Sequence, residues 1–385
     1  MNILIAMDSF KESLSSLQAG AAVAEGLCRV WPNAEIHLIP IADGGEGTVD
    51  ALVYAAGGQI EVVEVADLLG RKRLCSYGVL PDGTAVIEVS SAAGLNLLQA
   101  EERDPLRTST YGFGEMIIAA IRKGYRKLIL CLGGSGTNDG GIGMLQALGF
   151  QFLDWEGNAV RSGAKGLKDV RSISFAHVLP ELFDCEFEIA CDVNNPLCGE
   201  NGCSAIYGPQ KGADAALVRE MDQWMCHYAG IVKEELPCSD PDFPGAGAAG
   251  GLGFALMSFL KGKLRRGIDL VVSHCSLREK VACSDLVITG EGRIDCQTSM
   301  GKAPWGIAGI GKEFHKPVIA LCGSLESHPG LHERMDACFS IVPSPCSLAD
   351  ALCSETAKKN LADTAEQTAR LIYTFFKYDK SSALI

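Results

Sequence analysis

The sequence predicts an α/β protein with a largely parallel β-sheet. Short β-branched apolar runs alternate along the chain with glycine-rich polar turns and helical segments, a pattern that indicates βαβ units. The length of 385 residues fits two domains or one large α/β unit, at roughly 100–200 residues per domain. Between residues 60 and 89 the apolar runs are shorter and paired, which indicates antiparallel strands.

The predicted strand–loop–helix units follow one another in chain order. The first two are strand 2–7 with loop 8–11 and helix 14–30, and strand 35–41 with loop 42–48 and a helix to residue 56. Antiparallel strands follow at 60–65, 73–79 and 85–89, with a turn at 81–83. Further strands are expected at 127–132, 186–191, 285–289 and 317–322. Loop 133–141 leads into a helix to residue 148, and a last helix is expected over 348–376.

The two ends of the chain share one regular pattern, and the middle departs from it. We therefore predict a discontinuous arrangement, in which residues 1–70 and 285–385 form one α/β domain. Residues 71–284 would form a second α/β domain inserted between them.

Composition excludes several classes of protein. Lys and Arg number 34 against 47 Asp and Glu, and the net charge of −13 argues against a nucleic-acid-binding face. The longest uncharged apolar stretch, 245–260, is shorter than the ~20 residues that a spanning helix needs. The amino terminus lacks the basic region and apolar run of a signal peptide. We expect a cytoplasmic protein that binds neither nucleic acid nor membranes.

The 16 cysteines show no C-x-x-C spacing, and several lie in strand-like apolar runs. Free cysteine in such runs behaves as a small buried hydrophobe, and a reducing cytosol keeps it a thiol. We therefore expect buried structural thiols rather than a zinc site or disulfides.

The loop 133–141 reads Gly-Gly-Ser-Gly-Thr-Asn-Asp-Gly-Gly and is expected to open a helix. Glycines let successive backbone N–H groups face one concavity, and a helix N-terminus adds partial positive charge, so the pattern favours a phosphate or carboxylate site. The alternative is a tight turn without a ligand. The predicted cofactor-binding residues are Gly133, Gly134, Ser135, Gly136, Thr137, Asn138 and Asp139.

A second loop, 290–302, combines acidic residues with Arg293 and Lys302. Phosphoryl transfer needs this mixture, because carboxylates orient a hydroxyl or hold Mg²⁺ and cations neutralise the developing phosphate charge. A solvated loop with a surface ion pair is the alternative.

Further polar residues follow other predicted strands. Asp8, Ser9 and Lys11 follow the first strand, Asp43 and Glu46 the second, and Asp192 the strand at 186–191. Each could be an ordinary capping or turn residue. Because ligands bind beyond the carboxyl ends of parallel strands, their common placement favours a site. Lys211 adds one more cation.

The stretch 244–251 contains a G-x-G-x-x-G match, but no buried strand precedes it. A dinucleotide fingerprint requires that strand. We predict a glycine-lined helix start packed closely against a loop or ligand.

Seven motifs in order make the sequence recognisable. They are D-S-F-K at 8–11, P-I-A-D-G-G-E-G-T at 40–48, G-G-S-G-T-N-D-G-G at 133–141, A-C-D-V-N-N-P-L at 190–197, G-P-Q-K-G-A at 208–213, P-G-A-G-A-A-G-G at 244–251 and V-I-T-G-E-G-R-I-D at 287–295. Over roughly residues 1–376 the chain closely resembles the bacterial type I glycerate kinases (glycerate 2-kinases).

The resemblance implies ATP-dependent phosphorylation of D-glycerate, usually to 2-phosphoglycerate, with Mg²⁺, in glyoxylate metabolism. It also implies a Rossmann-like three-layer domain built from both chain ends, with a second domain inserted and the site in the cleft between them. A homo-oligomer is compatible with the sequence.

The roles of individual residues are inferred from chemistry. Lys11, Arg293 and Lys302 are candidates to bind the substrate carboxylate and the γ-phosphate, and Asp295 or Asp192 to accept the hydroxyl proton. Asp8, Asp43 and Glu46 are candidates for Mg²⁺, and with Ser9 and Lys11 they form the predicted substrate-binding set.

Other functions stay open at this point. A kinase that forms 3-phosphoglycerate, or that acts on another small hydroxy acid, would keep every motif. An oxidoreductase would rest on the weak match at 245–250. A non-catalytic sugar-acid sensor would need an output module, and no basic DNA-binding helix is visible in the sequence.

Overall fold

The structure, a computed structural model, describes residues 1–42, 44–326 and 329–382. Its strands are β1 (Asn2–Met7), β2 (Glu35–Leu38), β3 (Gln59–Ala66), β4 (Lys72–Val79), β5 (Thr84–Glu88), β6 (Lys127–Cys131), β7 (Gln151–Leu153), β8 (Ser172–Ser174), β9 (Glu186–Ala190), β10 (Lys263–Arg265), β11 (Leu286–Ile294), β12 (Val318–Leu325) and β13 (Ala337–Ser340). The mixed α/β architecture with parallel sheets is the one that the sequence predicts.

The helices connect these strands along the whole chain. They are α1 (Ser16–Cys28), α2 (Thr48–Ala56), α3 (Val89–Ala93), α4 (Tyr111–Arg122), α5 (Ile142–Ala147), α6 (Ala164–Leu167), α7 (Cys203–Tyr207), α8 (Ala215–Glu235), α9 (Ala248–Leu260), α10 (Gly267–His274), α11 (Leu277–Cys283), α12 (Ala303–Glu313), α13 (Leu348–Leu352) and α14 (Ser354–Ser382). The single helix predicted over 348–376 is thus two helices, because Cys353 between them has a non-helical ψ of 119°.

Internal contacts divide the chain into two compact units. Unit 1 comprises Met1–Asp43, Asp50–Ala56 and Ile268–Ile385, and unit 2 comprises Gly44–Val49 and Gly57–Gly267. Both ends of the chain therefore fall in unit 1.

The domain boundary predicted at residue 70 falls inside a hairpin. Strands β3 and β4 pair antiparallel from Gln59↔Val79 to Ala66↔Lys72, so residues 57–70 belong to unit 2. The Asp67 carboxylate closes the turn by accepting the N–H groups of Leu69 at 2.8 Å and Arg71 at 2.9 Å.

At the other boundary, residues 268–284 belong to unit 1 rather than to the predicted insertion. Helix α11 packs on β1 and α12. Gly306 of α12 lies against Ile268, where an added Cβ would be 2.8 Å from Cγ1.

Unit 1 is built on a five-stranded parallel sheet in the order β13-β12-β11-β1-β2. Alternate residues of β1 (Ile3, Ile5 and Met7) join the core formed with α1 and α14. Leu4 and Ala6, on the opposite side of the strand, are also fully buried. Helices therefore cover both faces of the sheet, as is usual for parallel sheets.

Glycine lets helices α1 and α14 approach closely. A Cβ on Gly26 would lie 2.0 Å from the carbonyl oxygen of Ala362, which is far inside van der Waals contact. Gly230, in the exposed part of helix α8, has no heavy atom within 4 Å of the same added atom.

We expect Gly26→Ala to lower the free energy of unfolding by ~1–3 kcal/mol, because the backbones of α1 and α14 must separate. Its matched control, Gly230→Ala, should raise that free energy by ~0.5–1 kcal/mol, because alanine is the better helix former. Urea unfolding followed by circular dichroism measures both changes. A Gly26→Ala protein as stable as the wild type would show that the two helices do not pack as described.

Unit 2 contains a six-stranded sheet in the order β10-β9-β6-β5-β4-β3. Strands β3, β4 and β5 are antiparallel neighbours, which confirms the prediction for residues 60–89. Strands β5, β6, β9 and β10 are parallel. Fully buried aromatic side chains fill its core, among them Tyr77, Phe113, Phe152 and Tyr228.

All 16 cysteines are free thiols, but the prediction that they are buried is wrong for most of them. The six buried ones are Cys75, Cys131, Cys191, Cys203, Cys275 and Cys322. Seven others are exposed, because they lie on helix surfaces and in loops rather than in the strands. In the part of the chain that the structure describes, no helix combines the length and the apolar character needed to cross a membrane.

Candidate active site

A cavity of about 830 Å³ lies at the carboxyl ends of β1, β11 and β12 in unit 1. Ligands of parallel α/β sheets bind at this edge. The structure brings together here several of the residues predicted from sequence. The polar side chains that line the cavity at this edge include Asp8, Ser9, Lys11, Glu291, Arg293 and Lys302.

Asp8 begins the loop after β1. Its N–H donates to the carbonyl of Gly290 at 2.8 Å, which extends the pairing of β1 with β11 by one residue. Its side chain is 5% exposed, and one carboxylate oxygen accepts the N–H of Ser9 at 2.6 Å. Asp8 is not the cap of α1, since Ser15 and Gln18 form that capping box. The carboxylate is therefore held at the cavity wall.

Glu291 is a site residue that the sequence analysis did not single out. It lies near the end of β11 and is 7% exposed. Thr298 Oγ1 donates to Glu291 Oε1 at 2.7 Å, and Lys302 Nζ lies 3.4 Å from Oε2. Burial raises the pKa of the Glu291 carboxyl, while the Thr298 hydrogen bond and the Lys302 charge lower it. The ion pair positions Lys302 at the start of α12.

Asp295 is fixed by its neighbours just beyond β11. Its Oδ1 accepts the N–H of Gln297 at 2.9 Å, and its Oδ2 lies 3.2 Å from Arg293 Nε. Asp295 as a residue is 9% exposed. The Arg293 side chain is largely exposed, and its Nη2 also lies 3.2 Å from Glu326 Oε2. Arg293 thus presents a cation to the cavity with its guanidinium held by two carboxylates.

The glycine-rich loop 133–141 belongs to unit 2, where two of its predicted anion donors are already occupied. Gly133 N–H donates to the Gly44 carbonyl at 3.1 Å, and Gly136 N–H donates to the Ala93 carbonyl at 2.8 Å. The helix that follows, α5, has only six residues, so its dipole is weaker than the sequence pattern indicated. Gly134 φ is +77°, a conformation that favours glycine.

Asn138 and Asp139 are both fully buried, and the Asp139 carboxylate accepts hydrogen bonds from the loop and its neighbours. Asp139 Oδ2 accepts Thr110 N–H at 2.8 Å and Thr110 Oγ1 at 2.9 Å, and its Oδ1 accepts Gly141 N–H at 3.1 Å. Gly143 N–H adds a fourth bond at 3.3 Å. Burial raises the pKa of Asp139, and these donors oppose the rise. These contacts give the Asp139 carboxylate a structural role, and the cofactor role of Asn138 and Asp139 stays a prediction.

Lys211 is a buried residue that stabilises the loop 133–141, not an exposed cation. Its Nζ donates to the Thr137 carbonyl at 2.6 Å and to Ser135 Oγ at 3.1 Å. The side chain is 2% exposed, and burial lowers its pKa to about 8 from the ordinary 10.5. The loop 133–139 is therefore anchored by an ammonium group from the motif at 208–213.

The lowered pKa of Lys211 predicts a pH-dependent stability. Between about pH 8 and 10.5 the folded protein releases the proton while the unfolded chain keeps it, so stability rises with pH. The stability of wild type relative to Lys211→Met should increase by about 3 kcal/mol over this range. Urea unfolding of both proteins at several pH values measures the difference, in which the other titrating groups cancel. If the stability difference between the two proteins did not change with pH, the pKa of Lys211 would not be lowered in the folded protein.

Two other predicted residues lie in unit 2 as well. Glu46 Oε1 accepts the side-chain amide of Asn96 at 3.0 Å. Asp192 is exposed after β9, and its Oδ1 accepts the N–H of Gly267 at 3.0 Å. Asp43 lies outside the described residues.

The glycine motif at 244–251 packs against the loop 133–141, in line with its interpretation as a glycine-lined helix start. Ala249, Gly250 and Gly251 all have positive φ at the start of α9. A Cβ on Gly250 would lie 2.1 Å from the Thr137 carbonyl oxygen. The close backbone approach explains the glycine there without a dinucleotide.

A group of possible metal ligands was not anticipated from the sequence. In the described part of the chain, ligand atoms of Cys198, Asp222 and Cys226 lie within 4.8 Å of one another. Thiols suit zinc and other soft ions, whereas Mg²⁺ takes oxygen ligands. Burial and the neighbouring Cys226 thiol raise the pKa of Cys198. This group therefore does not supply the cation that phosphoryl transfer requires.

Comparison with known proteins places the chain among enzymes of one kind. The model of the Glycerate kinase family matches residues 3–373. The chain is 45% identical to the glycerate kinase of Halalkalibacterium halodurans, over 99% of each chain. It is 46% identical to the glycerate 2-kinase of Escherichia coli, over 91% of this chain and 93% of that one.

A solved structure is similar along nearly the whole chain. A crystal structure from Salmonella typhimurium LT2, assigned as glycerate kinase 2, aligns with a TM-score of 0.87 and 43% identity. The alignment covers 98% of this chain and 99% of that one.

Proposed function

The chain belongs to the glycerate kinase family, and from this premise we propose that it transfers the γ-phosphoryl group of ATP to the 2-hydroxyl of D-glycerate. The observation that carries the proposal is the cavity of unit 1, where Lys11, Arg293 and Lys302 line the same wall as buried carboxylates. Cations for the transferring phosphoryl group and carboxylates for the metal and the hydroxyl are what this reaction requires. The 2-position follows the name of the Escherichia coli relative.

Mg²⁺ fits the residues present at this cavity. Asp8 and Glu291 both place buried carboxylates at the wall, and Glu291 is paired with Thr298 and Lys302. Mg²⁺ in kinases is bound through one or two carboxylates together with the substrate phosphates, so Asp8 would hold it. The ion would neutralise phosphate charge. Glu46 and Asp43 remain proposed ligands from the sequence.

Side chains that line the cavity, together with Asp295, which contacts the lining residue Arg293, would carry out the remaining steps. Lys11, Arg293 and Lys302 would bind the substrate carboxylate and the γ-phosphate, and Ser9 would add a hydroxyl at the same wall. Asp295, fixed by Arg293 and the Gln297 N–H, would accept the hydroxyl proton, with Asp192 as the other candidate. The loop 133–137 of unit 2 remains a proposed anion site, at its backbone N–H groups other than those of Gly133 and Gly136.

The test is direct. Purified protein is incubated with ATP, Mg²⁺ and D-glycerate, ADP release is followed against a reaction without glycerate, and the product is identified by phosphorus NMR. We expect glycerate-dependent ADP and the signal of 2-phosphoglycerate. A 3-phosphoglycerate signal would overturn the position of transfer. No glycerate-dependent ADP from folded protein would overturn the substrate and favour another small hydroxy acid.

A further inference from the structure

The cavity of unit 1 is larger and more apolar than glycerate requires. Its volume of about 830 Å³ is in the range of cavities that hold drug-sized ligands, whereas glycerate is a polar three-carbon acid. Away from the cations, the lining changes character. The apolar side chains that line it include Leu325, Ile341, Val342, Leu348, Ala351 and Leu352.

The sheet topology separates the two ends of this cavity. Strand β1, which leads to Asp8 and Lys11, and strand β13, which leads to Ile341 and Val342, are three strand spacings apart in the sheet. At ~4.8 Å per spacing, these ends lie roughly 14 Å from each other. The cationic residues lie at the β1 and β11 end, together with Phe10, and most of the apolar residues lie at the β13 and α13 end. The occupant is therefore elongated, with anionic groups at one end and an apolar group at the other.

We propose that the apolar end, between β13 and α13, binds the adenine base of ATP, with the phosphates directed to Lys11 and Lys302. The inference rests on the proposed kinase function and places the nucleotide within it. Aliphatic side chains can pack on both faces of a planar base. Asn360 of α14 also lines the cavity, and its amide can both donate to and accept from the edge of an adenine ring.

Ala351 provides the test, because it lines the cavity and is half-buried on α13. Ala351→Phe fills the apolar end. Ala349→Phe is the matched control, since Ala349 is on the same short helix but exposed and outside the cavity lining. The dissociation constants of ADP and of inorganic tripolyphosphate are measured for both variants and for wild type by calorimetry. Thermal unfolding shows that each variant is folded.

We expect Ala351→Phe to weaken ADP binding by at least about tenfold and to leave tripolyphosphate binding unchanged. Asn360→Leu, which keeps the volume and removes the amide, should weaken ADP binding in the same selective way. Ala349→Phe should bind both ligands as wild type does.

The other possible results distinguish a wrong position of the adenine base from a wrong proposed function. If wild type releases ADP in the presence of glycerate but Ala351→Phe and Asn360→Leu both bind ADP normally, the position of the base is wrong and the kinase function stands. Equal loss of ADP and tripolyphosphate would likewise overturn the position, because the phosphates do not reach Ala351. If folded wild type binds neither ADP nor ATP, the proposed function fails and the inference fails with it.

Discussion

Replacing Asp295 by asparagine is expected to lower kcat by roughly 10²–10⁴-fold, the contribution of a positioned general base. Asparagine keeps the shape and the hydrogen bond from Gln297, but it cannot take the hydroxyl proton of the substrate. The carboxylate is held between that N–H and Arg293, so it needs little reorganisation to act. Steady-state kinetics with saturating ATP and D-glycerate measure the loss.

Two further variants test whether Asp295 is the general base: one is a control and the other replaces the alternative carboxylate. Cys296→Ser changes the exposed neighbour of Asp295 and should leave kcat near the wild-type value. Asp192→Asn tests the other candidate carboxylate. A large loss in Asp192→Asn with normal activity in Asp295→Asn would transfer the role to Asp192. Near-normal kcat in both would show that neither residue is the base.

Replacing Asp139 by asparagine should lower the free energy of unfolding by about 2–5 kcal/mol. Four donors converge on the two oxygens of this fully buried carboxylate. Asparagine has one oxygen, so its NH₂ and at least the Gly141 N–H would both be buried without an acceptor. Each buried donor left without a partner costs ~1–3 kcal/mol. Urea unfolding followed by circular dichroism measures the change.

Asp154→Asn is the matched control for Asp139→Asn. Asp154 Oδ1 also accepts two backbone N–H groups, those of Glu156 and Asn158, each at 2.9 Å. Its turn is at the surface, where water can replace a lost acceptor, so we expect a much smaller loss than in Asp139→Asn. Equal losses in the two variants would mean that the burial of Asp139 does not determine its contribution.

The elements of the fold were largely predictable, and their long-range arrangement was not. The apolar runs of β1, β6 and β12 stand out in the sequence because both faces of a parallel strand are buried. The register of β1 against β11 joins Ile3 to Leu286, and no local pattern specifies such a partner. The misplaced boundary at residue 70 has the same origin, because composition does not show that β3 and β4 form one hairpin.

The residues of the candidate site were likewise predictable only in part. Asp8, Lys11, Arg293 and Lys302 were identified because polar residues after parallel strands share one edge of the sheet. Glu291 was missed although its position near the end of β11 was a usable signal. The structural contacts of Asp139 were not predictable, because its partners Thr110 and Gly143 lie outside the loop 133–141. Whether a loop side chain is buried or exposed depends on contacts with residues distant in the sequence.

The position of β1 in the sheet delays its folding while the chain is synthesised on the ribosome. β1 is made first, but its neighbour β11 begins only at Leu286, after all of the unit 2 segments. At about 5–20 residues per second, the strand waits roughly 15–60 s for that partner. During this interval Ile3, Leu4 and Ile5, which are fully buried in the finished protein, have β2 as their only strand neighbour and helix α1 on one face. We therefore expect the nascent chain to need protection of its first residues by a chaperone, while unit 2 folds ahead of unit 1.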